Sequence, residues 1–294
     1  MAEGRKKMLV TGASGFLGSR IASFYRDRYE VCVPSHGEMD IVDLESVKRV
    51  FDRICPHVVV HCAAVSDVGA CERAPESSWK INVDGSRNIA QMSAFHHAKC
   101  LAASSDQVYF GSGGTEPHRE DEELCPGNVY GREKLRAEEE CLKVNPECIL
   151  LRLSWMYDAG VIREGEHGDF FRILAANLKN SEELKYPVHD RRGITDVNEV
   201  VRNLEQAFHL KGGVYNFGSP NDRNTYETVV ELFRALGWDT ARLRGDTESH
   251  ALAPRNLTMD PGKLQGYGIT FSPTVLALGK NGRLHFSIYT HKRN

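Results

Sequence analysis

The chain lacks the features that would place it in a membrane, on nucleic acid or outside the cell. No apolar run approaches the roughly 20 residues that span a bilayer, and the basic residues near the N-terminus lead into a short strand-like run without a small-residue cleavage site. The net charge of -3 argues against broad binding to nucleic acid or anionic membranes. We therefore expect no nucleic-acid partner, no membrane and no secretion.

Cysteine pairs and metal-ligand spacings are lacking as well. The eight cysteines are scattered, with no CxxC pair and no Cys/His spacing typical of a metal site. Such thiols in a chain of 294 residues are typical of a reduced, cytoplasmic protein, so we expect mostly buried thiols and no metal. Internal repeats and low-complexity tracts are absent, and 41% hydrophobic residues are enough for a substantial core.

Strand-like and helix-like patterns alternate through the first half of the chain. The predicted strands are Met8–Thr11, Tyr29–Val33, Val58–Ala63, Leu101–Ser104 and Cys148–Ser154, and the predicted helices are Gly15–Arg26, Leu44–Ile54, Ser78–His97 and Tyr130–Val144. Repeated alternation of this kind predicts an α/β fold, a Rossmann-type doubly wound parallel sheet with helices on both faces.

After Trp155 the rhythm changes. Residues 160–168 are polar and contain glycine, which predicts a mobile loop. Further on we predict a helix at Asp196–Phe208, a strand at Tyr215–Gly218 and a helix at Thr225–Leu236 ended by Gly237. We expect residues 1–155 to form a dinucleotide-binding domain and residues 156–294 a smaller substrate-binding lobe, the two intertwined and the second supplying at least one further sheet strand.

A glycine-rich turn lies between the first predicted strand and the first predicted helix. Gly12 lets the chain turn tightly, and Gly15 and Gly18 let the helix N-terminus approach phosphates and pack on the sheet. Small residues after the third strand, Ala63 and Ala64, let a cofactor pass close to the backbone, or else serve tight packing. The pattern predicts a site for a dinucleotide pyrophosphate.

The second predicted strand ends without the acid that usually marks an adenosine ribose. Ser35 and His36 stand there instead, and with Arg20 on the first helix they suit a 2′-phosphate, so we predict NADP, with NAD as the alternative. Asp40 and Ile41 then stand where an adenine could rest. The alternative for Asp40 is a cap on the following helix.

A second constellation combines a phenol, an ammonium and a hydroxyl. Tyr130 and Lys134 are four residues apart on one helix face, and Ser104 and Ser105 end a predicted parallel strand, where only one of the two can face the ligand crevice. We predict Ser105 as the group that orients a carbonyl, Tyr130 as the proton donor and Lys134 as the cation that lowers the phenol pKa. A surface Tyr/Lys pair is the alternative.

Cations for a nucleotide diphosphate are predicted in the second half. Arg255 follows a proline in a predicted loop, which favours a ligand role as much as a solvated charge. Arg191 and Arg192 are expected to be solvated or paired with Asp190. Trp155 follows a strand end and is expected to face a ligand, with a core role as the alternative.

The motifs TGASGFLG, SSDQVYFG and NVYGREK, in this order and spacing, resemble those of the extended short-chain dehydrogenase/reductases. Within that family, the pieces DIVD, AAV, NVDG, PHRE, RLSWMY and PRNLTMD are similar to those of the dTDP-4-dehydrorhamnose reductases, so the resemblance covers nearly the whole chain. It implies that NADPH reduces the 4-keto group of a nucleotide-linked 6-deoxysugar. The same fold serves the regulatory β subunit of methionine adenosyltransferase.

The resemblance also implies roles for individual residues. Cofactor contacts are implied at Gly15, Phe16, Leu17, Ala63, Ala64, Val65 and Ala103, with Tyr130 and Lys134 holding the nicotinamide end. Sugar contacts are implied at Ser105, Asp106 and Trp155. Gln107, which follows Asp106, is also expected to contact the substrate. The chain departs from the family pattern at Gln107–Phe110 and at His118, which we expect on the sugar side.

Three functions follow as alternatives. The first is a reductase, the second a sugar-nucleotide epimerase or dehydratase in which the cofactor is reoxidised within one turnover, and the third a regulatory subunit that binds the cofactor without catalysis. A nucleotide sugar is the expected small-molecule partner, and a homodimer remains open.

Overall fold

The computed structural model describes residues 4–160 and 169–291. Its strands are β1 (Lys7–Thr11), β2 (Glu30–Cys32), β3 (Val58–His61), β4 (Lys99–Ser105), β5 (Ile149–Leu153), β6 (Trp155–Tyr157), β7 (Leu184–Pro187), β8 (Asp190–Arg192), β9 (Ile194–Asp196), β10 (Gly213–Phe217), β11 (Leu243–Asp246) and β12 (Arg255–Leu257). Its α-helices are α1 (Phe16–Tyr25), α2 (Leu44–Ile54), α3 (Val68–Arg73), α4 (Pro75–Trp79), α5 (Ser86–Phe95), α6 (Val129–Val144), α7 (Phe170–Asn180), α8 (Val197–Ala207), α9 (Thr225–Leu236), α10 (Gly262–Gln265) and α11 (Thr274–His291).

Six strands form the central sheet, in the order β10-β5-β4-β3-β1-β2. β1 pairs in parallel with β2 on one side and with β3 on the other, and β3 pairs in parallel with β4. The chain therefore reverses its direction of winding between β1 and β3. In open α/β sheets ligands bind at the carboxyl ends of the strands at such a point. The predicted Rossmann-type α/β class is confirmed.

Local sequence explains where the helices begin and end. Asp43 caps α2 by accepting a hydrogen bond from the Glu45 amide, and Asn224 caps α9 in a reciprocal arrangement with Glu227. Gly237 ends α9 in the left-handed conformation, with φ of 71°, which favours glycine.

Most predicted elements lie within two residues of the observed ones, but the predicted helix Ser78–His97 is divided. A π-helical turn, Lys80–Gly85, separates α4 from α5. The predicted strand Tyr215–Gly218 appears as β10 and extends the central sheet, as expected of the second half. The predicted mobile loop falls on residues 161–168, which lie outside the described residues.

The chain divides into two compact units. Unit 1 comprises residues 1–108, 125–152 and 201–215, and unit 2 comprises 109–124, 153–200 and 216–294. Unit 1 has a core around Leu9, Phe51, Val59 and Ile89, and unit 2 has its own core around Tyr157, Phe171, Leu232 and Phe233. The predicted domain boundary after residue 155 stays a prediction.

Within the described ranges no helix is both long and apolar enough to cross a membrane, and no three potential metal ligands come together there. All eight cysteines are free thiols. Four of them are buried, namely Cys71, Cys100, Cys141 and Cys148. We expected most of the eight to be buried, and half of them are.

Candidate active site

The glycine turn after β1 is packed closely on the loop after β3. Gly12 has φ of +66°, and a Cβ there would lie 2.7 Å from the Ala63 nitrogen. A Cβ on Gly18 would collide with the Gly12 carbonyl oxygen, and Gly15 donates its amide to that same oxygen at 3.0 Å. Glycine is therefore required at positions 12 and 18 by contacts with neighbouring backbone.

The N-terminus of α1 has no side-chain cap. Gly15 is its N-cap residue and supplies no side-chain acceptor, whereas Asp43, Asn128 and Asn224 cap α2, α6 and α9. The first amides of a helix need an acceptor, and a phosphate provides one. The glycine turn and the uncapped first turn of α1 form a backbone cradle that fits a dinucleotide pyrophosphate. Phe16 and Leu17, in that first turn, are half-buried.

A buried histidine connects the segments around this cradle. His61 lies 2.7 Å from the Thr11 hydroxyl through Nδ1 and 3.0 Å from the Ser86 hydroxyl through Nε2. Ser86 donates its only hydroxyl proton to the Asn82 carbonyl at 2.7 Å, so it accepts from Nε2, and Nδ1 accepts from Thr11. The Thr11 oxygen accepts from the amides of the two residues after His61, both at 3.2 Å. Burial, and next the Lys134 cation, lower the pKa of His61 to about 3, so the ring is neutral.

The segment after β2 does contain an acid. The carboxylate of Glu38 accepts from both the amide and the hydroxyl of Ser35 at 2.8 Å, and these contacts lower the pKa of Glu38. His36 is exposed beside it. Arg20 is buried, with its guanidinium 2.7 Å from the Phe16 carbonyl and 3.9 Å from the centre of that ring. No acid stands at the strand end itself, as the sequence shows, but the Glu38 carboxylate follows two residues after His36. The Arg20 guanidinium lies over the Phe16 ring.

Asp40 and Ile41 have local roles in the structure. The Asp40 carboxylate accepts from the Val42 amide at 3.0 Å, while Asp43 caps α2, so the alternative of Asp40 as the cap is wrong. The Ile41 side chain is buried in the core and lies against Gly85, where a Cβ would be 2.7 Å from it. Packing therefore accounts for Ile41, and the structure does not support it as an adenine shelf.

Ser105 and Tyr130 are brought together at the end of β4. The Ser105 hydroxyl is near enough to the buried Tyr130 phenol to act on its pKa. Ser104 points to the other face, where it donates to the buried Glu138 carboxylate at 2.5 Å. Of the two serines, only Ser105 lies at the phenol.

Lys134 lies one helical turn after Tyr130 and is also buried. Its ammonium donates to the Ala103 carbonyl at 2.6 Å. Burial lowers the pKa of Lys134, although the carboxylates of Glu138 and Glu133 act to raise it.

The Tyr130 hydroxyl has a raised pKa, chiefly because it is buried. The neighbouring Ser105 hydroxyl acts to lower that pKa, and the Asp106 carboxylate acts to raise it. The expectation that Lys134 lowers the phenol pKa is wrong for the chain alone, because burial outweighs the opposing contacts. The phenol keeps its proton at neutral pH, as a proton donor must.

The next residues complete the turn beneath α6. Ser105 donates to the Asp106 carboxylate at 3.3 Å and accepts from the Gln107 amide at 3.2 Å. The side-chain oxygen of Gln107 accepts from Asn128 at 2.9 Å, and Asn128 in turn caps the helix that carries Tyr130. Gln107 is thereby tied to the position of the phenol.

The other departures from the family pattern are a packed pair. Tyr109 and His118 are buried with parallel rings, 4.7 Å between centroids and 8° apart in plane. The Tyr109 hydroxyl donates to Asn216 at 2.7 Å, and the His118 ring lies 2.7 Å from Glu122. Both side chains are therefore held inside unit 2, and their place on the sugar side stays a prediction.

Three cations of unit 2 have partners in the structure. Arg255 pairs with the buried Asp190 at 2.6 Å, and although burial acts to raise the pKa of that carboxyl, the Arg192 cation acts with Arg255 to lower it. Arg191 donates to the Asp222 carbonyl at 3.0 Å, and Arg192 lies 5.1 Å from the centre of the Trp155 ring. Sequence reasoning missed this Arg192–Trp155 pair, because β8 and β6 are 33 residues apart and nothing local links them.

Comparison with known proteins gives consistent matches over most of the chain. The family model described as the RmlD substrate binding domain matches residues 6–270. A dTDP-4-dehydrorhamnose reductase of Streptomyces griseus is 32% identical over 280 residues, covering 90% of this chain and 89% of the relative. The methionine adenosyltransferase 2 subunit beta of Pongo abelii is 28% identical over 286 residues, covering 90% of this chain and 83% of the relative.

A solved structure shows the same fold. The dTDP-4-dehydrorhamnose reductase of Bacillus anthracis, in complex with NADP, superposes with a TM-score of 0.83 at 22% identity, covering 97% of this chain and 99% of the other. At this level of identity the match concerns the fold alone.

Proposed function

We propose, from the premise that this chain belongs to the RmlD substrate binding domain family, that it is an NADPH-dependent reductase of a nucleotide-linked 4-keto-6-deoxysugar in the cytoplasm. The family predicted from the sequence motifs is thereby confirmed. Its relatives include reductases, and one neighbour in fold carries NADP. The observation that carries the proposal is the placement of Ser105, the buried Tyr130 and the buried Lys134 together at the end of β4.

The cofactor, when bound, supplies the hydride. The uncapped turn Gly12–Gly18 and the loop Ala63–Val65 would hold its pyrophosphate, and Lys134 would hold the nicotinamide ribose. Ser105 orients the sugar carbonyl through its hydroxyl. Tyr130 transfers its proton to the carbonyl oxygen as the new C–H bond forms, which leaves an alcohol and a phenolate that is reprotonated from solvent.

On the sugar-nucleotide side, we propose that Asp106 and Gln107 contact the sugar. Trp155 is proposed to contact the sugar as well, and Arg192, whose guanidinium lies 5.1 Å from the centre of the Trp155 ring, is proposed to contact the nucleotide diphosphate. Arg255 is a weaker candidate than the sequence indicated, since Asp190 already neutralises it.

The test is reduction of dTDP-, GDP- and UDP-linked 4-keto sugars, followed by the loss of NADPH absorbance. Stoichiometric oxidation of NADPH supports a reductase, whereas product formation without net oxidation indicates an epimerase. Tyr130→Phe is expected to lower turnover by about 100-fold or more with little change in NADPH affinity. Tyr226→Phe is the matched control, and equal turnover in the two variants would refute the role of Tyr130.

A second candidate is a regulatory subunit that binds the cofactor without turning it over. The match to the methionine adenosyltransferase 2 subunit beta favours it. NADPH binding without turnover of any keto sugar, together with association with a methionine adenosyltransferase catalytic chain, would replace the first proposal by this one.

A further inference from the structure

The helix that carries Tyr130 also carries a buried carboxylate for which the proposed reaction has no use. Glu133 is 1% exposed, and its two oxygens accept from the Ser78 hydroxyl at 2.5 Å and from the Asn82 amide nitrogen at 2.6 Å. Among the described residues no lysine, arginine or histidine forms an ion pair with it. The Lys134 cation acts on Glu133 electrostatically without forming an ion pair with it. A buried carboxylate without an ion-pair partner is costly, so the contacts that it makes are expected to matter.

Asn82 donates a hydrogen bond to this carboxylate and also bonds to the loop after β3. Its side-chain oxygen accepts from the Val65 amide at 2.8 Å, and its nitrogen donates to the Val65 carbonyl at 3.0 Å. The nitrogen has two protons, and Val65 and Glu133 are the two oxygen acceptors that they meet. Val65 and Glu133 together therefore fix the position of the Asn82 amide.

The local backbone agrees with a functional role for this arrangement. Asn82 lies in the π-helical turn Lys80–Gly85, and π-helical turns within helices are found mostly at functional sites. Val65 ends the small-residue loop that packs on the Gly12 turn.

We propose that Glu133 is a positioning residue for the dinucleotide, because it orients Asn82 and thereby holds the Val65 backbone in the shape that the cofactor meets. The inference rests on the proposed function for the identity of the ligand. In this role Glu133 acts through Asn82 and does not itself touch the cofactor or the substrate.

The variants Glu133→Met and Glu133→Gln separate this role from a role of the charge itself. Methionine removes the oxygen that accepts one Asn82 proton and leaves the Cys71 sulfur, 3.8 Å away, in its place, so Asn82 is held less tightly and holds Val65 less tightly. Glutamine keeps an acceptor for Asn82, and its own amide can donate to Ser78, whose proton can turn to the nearby carbonyls of Ala74 and Pro75.

The experiment measures NADPH dissociation constants from nicotinamide fluorescence, and hydrogen exchange at the Val65 amide in the free protein. Glu133→Met is expected to weaken NADPH binding about tenfold or more, as for loss of a buried hydrogen bond to a charged group, and to speed exchange at Val65. Glu133→Gln and the exposed control Glu139→Gln are expected to stay within about threefold of wild type. Asn82→Ala should match Glu133→Met, and combining the two should add nothing.

Unchanged NADPH affinity and unchanged Val65 exchange in Glu133→Met would overturn the inference. So would equal losses in Glu133→Met and Glu133→Gln, which would assign the effect to charge. If Glu133→Met does not fold, Asn82→Ala tests the same clamp with the carboxylate retained. Failure of the wild type to bind any dinucleotide would refute the proposed function, while Val65 exchange would still report whether Glu133 holds the loop.

Discussion

Replacing His61 by glutamine is expected to change how the stability of this protein depends on pH. His61 is buried and neutral, with its pKa lowered from its usual 6.5 to about 3. The unfolded chain takes up a proton on this ring below about pH 6.5, whereas the folded chain does not do so until about pH 3. Because the unfolded state binds more protons in that window, the free energy of unfolding falls as the pH falls from 6.5 towards 3.

The size of the effect follows from the two pKa values. Each pH unit within the window corresponds to about 1.4 kcal/mol. Between pH 7 and pH 5 the proton on His61 therefore accounts for a loss of roughly 2 kcal/mol, since about 1.5 units of that interval lie below 6.5. Glutamine at this position takes up no proton, so this part of the pH dependence disappears, whatever constant cost the lost hydrogen bonds impose.

Urea unfolding at pH 5, 6 and 7 measures this difference. The wild type should lose about 2 kcal/mol more than His61→Gln between pH 7 and pH 5. The exposed His209→Gln serves as the control and should follow the wild type. Parallel losses in wild type and His61→Gln would refute the reasoning, because they would mean that the ring titrates alike in the folded and unfolded states.

Three further outcomes follow from the structure. Glu38→Gln should strengthen NADPH binding about tenfold relative to NADH, because an ionised carboxylate there repels a 2′-phosphate; an unchanged ratio of the two dissociation constants would contradict this. Asp190→Asn should lower the free energy of unfolding by about 1 to 3 kcal/mol at pH 7 by removing the carboxylate that pairs with Arg255. Burial acts to raise the pKa of Asp190, but Arg255 and the other partners of Asp190 hold that pKa below the usual 3.8. The ion pair therefore stabilises the fold above pH 3.8. The destabilisation caused by Asp190→Asn should shrink as the pH falls below 3.8. Gly12→Ala should weaken dinucleotide binding at least about tenfold, because alanine is strained at φ of +66°, and retained affinity in a titration would rule out this turn as the cradle.

Elements whose causes are local could be predicted from the sequence. The helix Thr225–Leu236 was predicted with its observed bounds, since Asn224, Glu227 and Gly237 mark its ends within the chain itself. The π-helical turn could not be predicted, because its Asn82 is held by partners 17 and 51 residues away.

The same distinction applies to the candidate site. The glycine turn and the Tyr130/Lys134 spacing are visible in the sequence, and sheet alternation singles out one serine of the pair. The raised phenol pKa depends on burial, and the role of Arg192 in β8 depends on Trp155 in β6, a strand of a different sheet, so neither has a local signature. The short strands of unit 2 span only three or four residues each, too few for a period to emerge.

The order in which the strands enter the central sheet has a consequence for synthesis on the ribosome. β10 is the neighbour of β5 but follows it by 60 residues, and the segment 201–215 belongs to unit 1. Until that segment has emerged, the nascent chain presents β5 as a bare, apolar edge able to recruit another strand. A chain halted before residue 213 should therefore aggregate or engage chaperones, whereas one halted after residue 217 can close the edge itself.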